Sequence, residues 1–110
     1  MKPAWKASLG WVLALALPWA CAPLLPYPTP EGLSRINGDQ PTVTLQDLQT
    51  GRRLYASHCA SCHQLHLPSE RTPEAWEKIV PRMGEKGKIA PVTCDSILAY
   101  LISTSKASPE

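Results

Sequence analysis

The amphipathic patterning from which this chain can build a core is confined to one stretch, Leu45 to Lys106. Three helical patterns lie within it. Thr44 can cap a helix beginning at Leu45, with Asp47 in the first turn, where the macrodipole favours negative charge. Leu48, Leu54 and Tyr55 supply its apolar face. A second helix is predicted from Thr72 as cap and Pro73 as first helical residue, with Trp76, Ile79, Val80 and Met83 recurring at helical spacing. A third starts near Thr93, with Asp95 in its first turn and Ile97, Leu98, Leu101 and Ile102 on its buried face. No stretch alternates with period two, so the fold class is all-α. About 62 residues with Trp76 as their only Trp make a small core. Below roughly 70–80 residues such a core rarely supplies more than about 3–5 kcal/mol. A chain like this needs a staple.

The first 21 residues read differently. Lys2 and Lys6 precede an uncharged run, densest in apolar residues from Leu9 to Leu17 and closed by Pro18. That is the pattern of an export signal, and the run is short of the roughly 20 residues a spanning helix needs. Ala20-Cys21 resembles the end of a bacterial lipoprotein signal, in which the Cys is lipidated and becomes a membrane tether. The competing readings are cleavage near Ala22 and an uncleaved anchor. Beyond it, Pro23, Pro26, Pro28, Pro30 and Pro41, with turn formers at Asn37-Gly38-Asp39, predict an extended linker over residues 22–44. The organisation expected is therefore a signal (1–21), a Pro-rich linker (22–44) and a helical domain (45–110).

Charge narrows the function classes. From residue 7 onward nine basic residues face nine acidic ones. A neutral remainder argues against a nucleic-acid partner, which would call for a basic patch.

The chemistry is concentrated in Cys59-Ala60-Ser61-Cys62-His63, the signal for covalent attachment of a c-type haem. Two cysteines three apart on a helical turn can both reach the vinyl groups of one haem, and the adjacent His63 falls under the iron. Two other chemistries suit the same residues. A dithiol redox pair ordinarily sits at a strand-to-helix junction, and no strand is evident. A zinc site from Cys59, Cys62, a histidine and Cys94 lacks paired ligands in the second half. Met83, twenty residues after His63, is the candidate sixth ligand, as against a core Met filling space. His58 and His66 read as surface residues. Pro81, two residues before Met83, removes a helix bond to Glu77 and predicts a kink. Cys94 reads as a small buried hydrophobe.

Gly51-Arg52-Arg53-Leu54-Tyr55 followed by Cys59-Ala60-Ser61-Cys62-His63 resembles the small single-haem cytochromes c of bacterial class I type. Pro68, Thr72-Pro73-Glu74-Ala75-Trp76, Arg82-Met83 and Ile97-Leu98-Ala99-Tyr100-Leu101 are similar to that family's later landmarks. The resemblance implies a helical domain wrapped around one covalent haem c, held by Cys59 and Cys62 with His63 and Met83 as axial ligands. It implies that the first and last helices cross closely, Gly51 accepting Tyr100. It also implies that the carbonyl of Pro68 receives the ligand imidazole, and that Trp76 belongs to the haem pocket.

The function expected is that of an exported one-electron carrier, not an enzyme, exchanging electrons with redox partner proteins on the outer side of the cytoplasmic membrane. Two other readings stand beside it: a haem-based sensor or ligand-binding module with a labile Met83, and the haem subunit of a larger oxidoreductase.

Overall fold

A computed structural model describes residues 24–59 and 65–106. Four helices make up the regular structure: α1 (Pro30–Asn37), α2 (Leu45–Cys59), α3 (Pro73–Gly87) and α4 (Pro91–Thr104), with a short 3-10 turn at Pro68–Glu70. There is no strand among the described residues.

The starts of these helices follow from local chemistry. Thr44 and Asp47 cap reciprocally at α2: the Asp47 amide donates to Thr44 Oγ1 at 3.1 Å, and the Thr44 amide donates to Asp47 Oδ2 at 2.8 Å. The Thr44 amide, and after it the Thr44 hydroxyl, which also donates to Asp47 Oδ2, hold the Asp47 carboxyl below the ordinary aspartate pKa. Thr72 caps α3 through the Ala75 amide at 3.3 Å. Helix α4 begins at Pro91, two residues before the start expected at Thr93. Pro91 lacks only an N–H that the first turn leaves unbonded, and the amides of Thr93 and Cys94 both reach the Ala90 carbonyl at 3.0 Å. Helix α3 continues through Pro81 to Gly87, so the proline does not end it.

Helix α4 is the hub. Helices α1, α2 and α3 all pack on it, whereas the backbones of α2 and α3 stay apart and these two helices meet through side chains. Ile97, Tyr100 and Leu101 are buried along its length, next to Tyr55 from α2 and Trp76 and Val80 from α3. Burying each such side chain contributes about 1.5–3 kcal/mol. The α2–α4 crossing is close because Gly51 has no Cβ. One placed there would collide with the Ser96 carbonyl and lie 2.9 Å from Tyr100 Cβ. The packing of Gly51 against Tyr100 that the resemblance implies is therefore present.

Residues 24–43 correct the sequence reading. They are not an extended linker but part of the domain. Thr29 caps α1 by accepting from the Gly32 amide at 3.1 Å, and Pro30 occupies the first helical position, where a proline costs nothing. Gly32 lies against the Ser103 carbonyl of α4, too close for any side chain. Arg35 Nη1 donates to the Ser105 carbonyl at 3.1 Å. Gly38, at φ +52°, ends the helix in a conformation that favours glycine. Asn37 then ties the returning chain down, donating to the Val43 carbonyl at 2.8 Å and accepting from the Val43 amide at 3.0 Å.

Before α1 the chain is fastened as firmly. Leu25 is 5% exposed and belongs to the core. Arg52 donates to the Leu25 carbonyl through Nε (3.2 Å) and Nη2 (3.0 Å). Tyr100 donates its hydroxyl to the Pro26 carbonyl at 2.8 Å. Prolines exclude the helix and the ladder, but their carbonyls remain acceptors, and this chain uses two side chains of the domain to bind the strap.

Candidate functional site

Because α2 and α3 stand apart on α4, a cavity of about 450 Å³ opens between them. Tyr55, His58 and Cys59 line it from α2, and Trp76, Val80, Met83 and Gly84 from α3. Cys94, Ile97 and Leu101 form the α4 wall. His66, Lys86 and Ile89 complete its border. The size falls in the range of about 300–1,000 Å³ usual for small-molecule and cofactor sites.

Two aromatic rings stiffen one side. Tyr55 and Trp76 meet edge to face with centroids 6.2 Å apart, and both are buried. Each is also held by its polar end. Trp76 Nε1 donates to the Pro68 carbonyl at 2.9 Å. Tyr55 donates its hydroxyl to the His66 carbonyl at 2.7 Å. Burial, with a smaller contribution from the neighbouring Cys59 thiol, pushes the Tyr55 hydroxyl up to about 12. It therefore stays protonated and keeps its donor role at any ordinary pH. The Tyr100 hydroxyl is raised in the same direction by burial.

Cys59 closes α2, half-buried at the cavity wall. Ala60, Ser61, Cys62 and His63 lie outside the described residues, so the second cysteine and the candidate imidazole ligand are known from sequence alone. The chain on both sides of them is nevertheless at the site: Cys59 before, Leu65 packed on the core and His66 after. Met83, the candidate sixth ligand of the sequence, lines the cavity from α3 and is half-buried. Trp76 lines it as expected of a pocket residue. Pro68 does not. It is fully buried behind the wall, and its carbonyl receives the Trp76 indole.

Three residues differ from the sequence reading or extend it. His58 and His66, expected at the surface, are exposed and yet border the cavity. Their position follows from α2 and the returning segment sharing one mouth, which the spacing alone does not reveal. His66 Nδ1 also pairs with Glu70 Oε2 at 2.8 Å, both side chains being half exposed. Cys94, expected to be a small buried hydrophobe, is half-buried, and its Sγ fills the space that a Cβ on Gly84 would need. It also borders a smaller hollow of about 230 Å³ between α3 and α4.

The chemistry of this wall fits a haem. Its surface is mainly hydrocarbon and aromatic, with a cysteine sulfur on the α2 side and a thioether sulfur on the α3 side. No carboxylate lines it among the described residues, and His58, His66 and Lys86 leave only basic groups at its border. A flat apolar macrocycle with acidic substituents suits such a wall, and a polar or cationic ligand does not. Among the described residues no group of three or more His, Cys, Asp or Glu side chains is placed to hold a metal ion. Compared with known proteins, the chain matches no family model, no curated protein and no solved structure.

Proposed function

We propose that this chain is an exported c-type cytochrome that carries single electrons between partner proteins. The observation that carries the reading is the apolar, carboxylate-free cavity with Cys59, the first residue of the attachment pentapeptide, in one wall and Met83 in another. Cys59 and Cys62 would hold the porphyrin through thioethers, and His63 and Met83 would ligate its iron. Haem c held in this way supplies a one-electron Fe(III)/Fe(II) couple, with a potential raised by the thioether ligand.

The chain's own residues support that task. Tyr55, Trp76, Val80, Ile97 and Leu101 present apolar surface that excludes water from the cavity. Lys86 offers a positive partner to the acidic substituents at the border. With His63 and Met83 both serving as ligands, the iron would have no position left for a substrate, and the chemistry it would supply is electron transfer. The balanced charge beyond the signal provides little long-range steering, so docking with redox partners is weak and short-lived.

The test is expression with export in a host able to attach haem c, followed by denaturation in acidified acetone. Colour that stays with the protein, one haem per chain, and no carbon monoxide binding by the reduced protein are expected. Extraction of the haem, or zinc in its place, would overturn the reading. Carbon monoxide binding to the untreated reduced protein would replace the carrier with a ligand-binding module.

A further inference from the structure

We infer that the corner formed by Leu24 and Tyr27 rests on the surface of a lipid bilayer and holds the domain there with one face down. The inference rests on the proposed reading of residues 1–21 as a signal that leaves the chain attached to a membrane.

The strap decides the geometry. Leu25 is buried, and the carbonyls of Leu25 and Pro26 are bound by Arg52 and Tyr100. The domain therefore begins at residue 25, and no slack follows it. Cys21 precedes Leu25 by four positions, a reach of at most about 14 Å even when fully extended. The polar layer of a bilayer is itself roughly 5–8 Å deep on each side. A lipid on Cys21 would therefore bring the strap to the membrane surface, whereas an uncleaved apolar run ending at Leu17, eight positions before Leu25, would leave a reach of up to about 29 Å.

The residues exposed there suit that surface. Leu24 is 85% exposed and Tyr27 63%, Leu24 next to the buried Leu25 and Tyr27 next to the exposed Pro26. A tyrosine and a leucine beside an arginine form a small amphipathic group, and aromatic rings of this kind favour the headgroup level. Tyr27 is held ready for it: the Arg52 guanidinium stacks 4.0 Å from the ring centroid. Acidic and basic residues beyond the signal balance, so the contact depends on apolar insertion and short reach rather than on anionic lipid.

The full exported chain, reduced and placed in phosphatidylcholine nanodiscs containing a gadolinium-chelating lipid, tests this by backbone amide NMR. Signals of Leu25 and Tyr27 should be lost while those of α3, whose backbone approaches only α4 among the helices, persist. The double variant L24D/Y27D, altered only at exposed positions, should remain in the discs and lose the contrast. A chain that does not associate with membranes at all overturns the anchor reading and the proposal with it. A chain that sediments with the discs but shows even attenuation overturns the proposal alone. So does a contrast that survives in L24D/Y27D. Protection of Tyr27 from surface labelling in native membranes but not in lipid discs identifies a protein as the occupant and also overturns it.

Discussion

The hydroxyl of Tyr55 and the carbonyl of His66, eleven residues apart, are joined by a 2.7 Å hydrogen bond. The bond spans the stretch of sequence that contains Cys59, Cys62 and His63 and ties His66 back to α2. Tyr55→Phe keeps the ring packing on Trp76 and removes only this bond. A loss of about 1 kcal/mol in urea unfolding is expected, with an unchanged slope.

The same tyrosine predicts an alkaline weakness. Its folded-state pKa, raised to about 12 chiefly by burial, lies above the value of about 10 for an unfolded tyrosine. Below pH 10 both states hold the proton and the contribution is complete. Between about pH 10 and 12 only the folded state holds it, so stability falls as pH rises through this window. Thermal unfolding followed across it should show the midpoint dropping. Tyr55→Phe should flatten part of that drop, leaving the share due to Tyr100, whose hydroxyl is raised in the same direction.

Removing the strap should undo the domain. A chain starting at residue 45 loses the buried Leu25 side chain, worth about 1.5–3 kcal/mol, and strands the donors of Arg52 and Tyr100. We expect it to accumulate poorly and to lack a cooperative thermal transition by circular dichroism. In the full chain, Arg52→Ala should cost about 2 kcal/mol, because it takes both hydrogen bonds from the Leu25 carbonyl.

Two glycines of the helices separate packing from propensity. At Gly51 an added Cβ would meet the Ser96 carbonyl, which is backbone and cannot swing aside. Gly51→Ala should therefore destabilise by about 1–3 kcal/mol despite alanine's better helix propensity. At Gly87 the added atom would meet only the Ile89 side chain at 3.4 Å. Gly87→Ala should stay within about 0.5 kcal/mol of the parent. Equal losses at both positions in denaturant titrations would mean that the α2–α4 contact is looser than described.

For the proposed carrier, Met83→Ala should lower the reduction potential and abolish the long-wavelength sulfur-to-iron charge-transfer absorption of the oxidised protein. His58→Ala and His66→Ala should leave that absorption in place, since a border position does not make either histidine a ligand. Disappearance of the band in His66→Ala alone would reassign the sixth ligand.

The helices that carry the cavity were legible because their signals are local. Thr44 with Asp47, Thr72 with Pro73, and the stripes through Trp76 and Ile97 each lie within a turn or two of what they specify. Gly51 was legible through its resemblance to a known crossing. The strap was not, and the reason is distance. Leu25 is one apolar residue among prolines, with no periodicity to mark it as core. Its carbonyl partner Arg52 lies 27 residues away, and the Tyr100 that binds Pro26 lies 74 away. Pro30 reads as a breaker until it is placed at a helix start, where it is harmless. The sites of His58, His66 and Cys94 at the cavity were hidden for a similar reason: only the gap between α2 and α3 gives them a common border.

Helix α4, on which every other helix packs, is also the last of the four to be synthesised. Until Thr104 has emerged, α1 has no Ser103 to lie against, Leu25 no Leu101, and α3 no surface to cover. The growing chain thus lacks the contacts made by α4 until that helix has emerged. For the export proposed above, a keystone made after the helices it holds would keep the preceding chain threadable and leave assembly to the far side of the membrane.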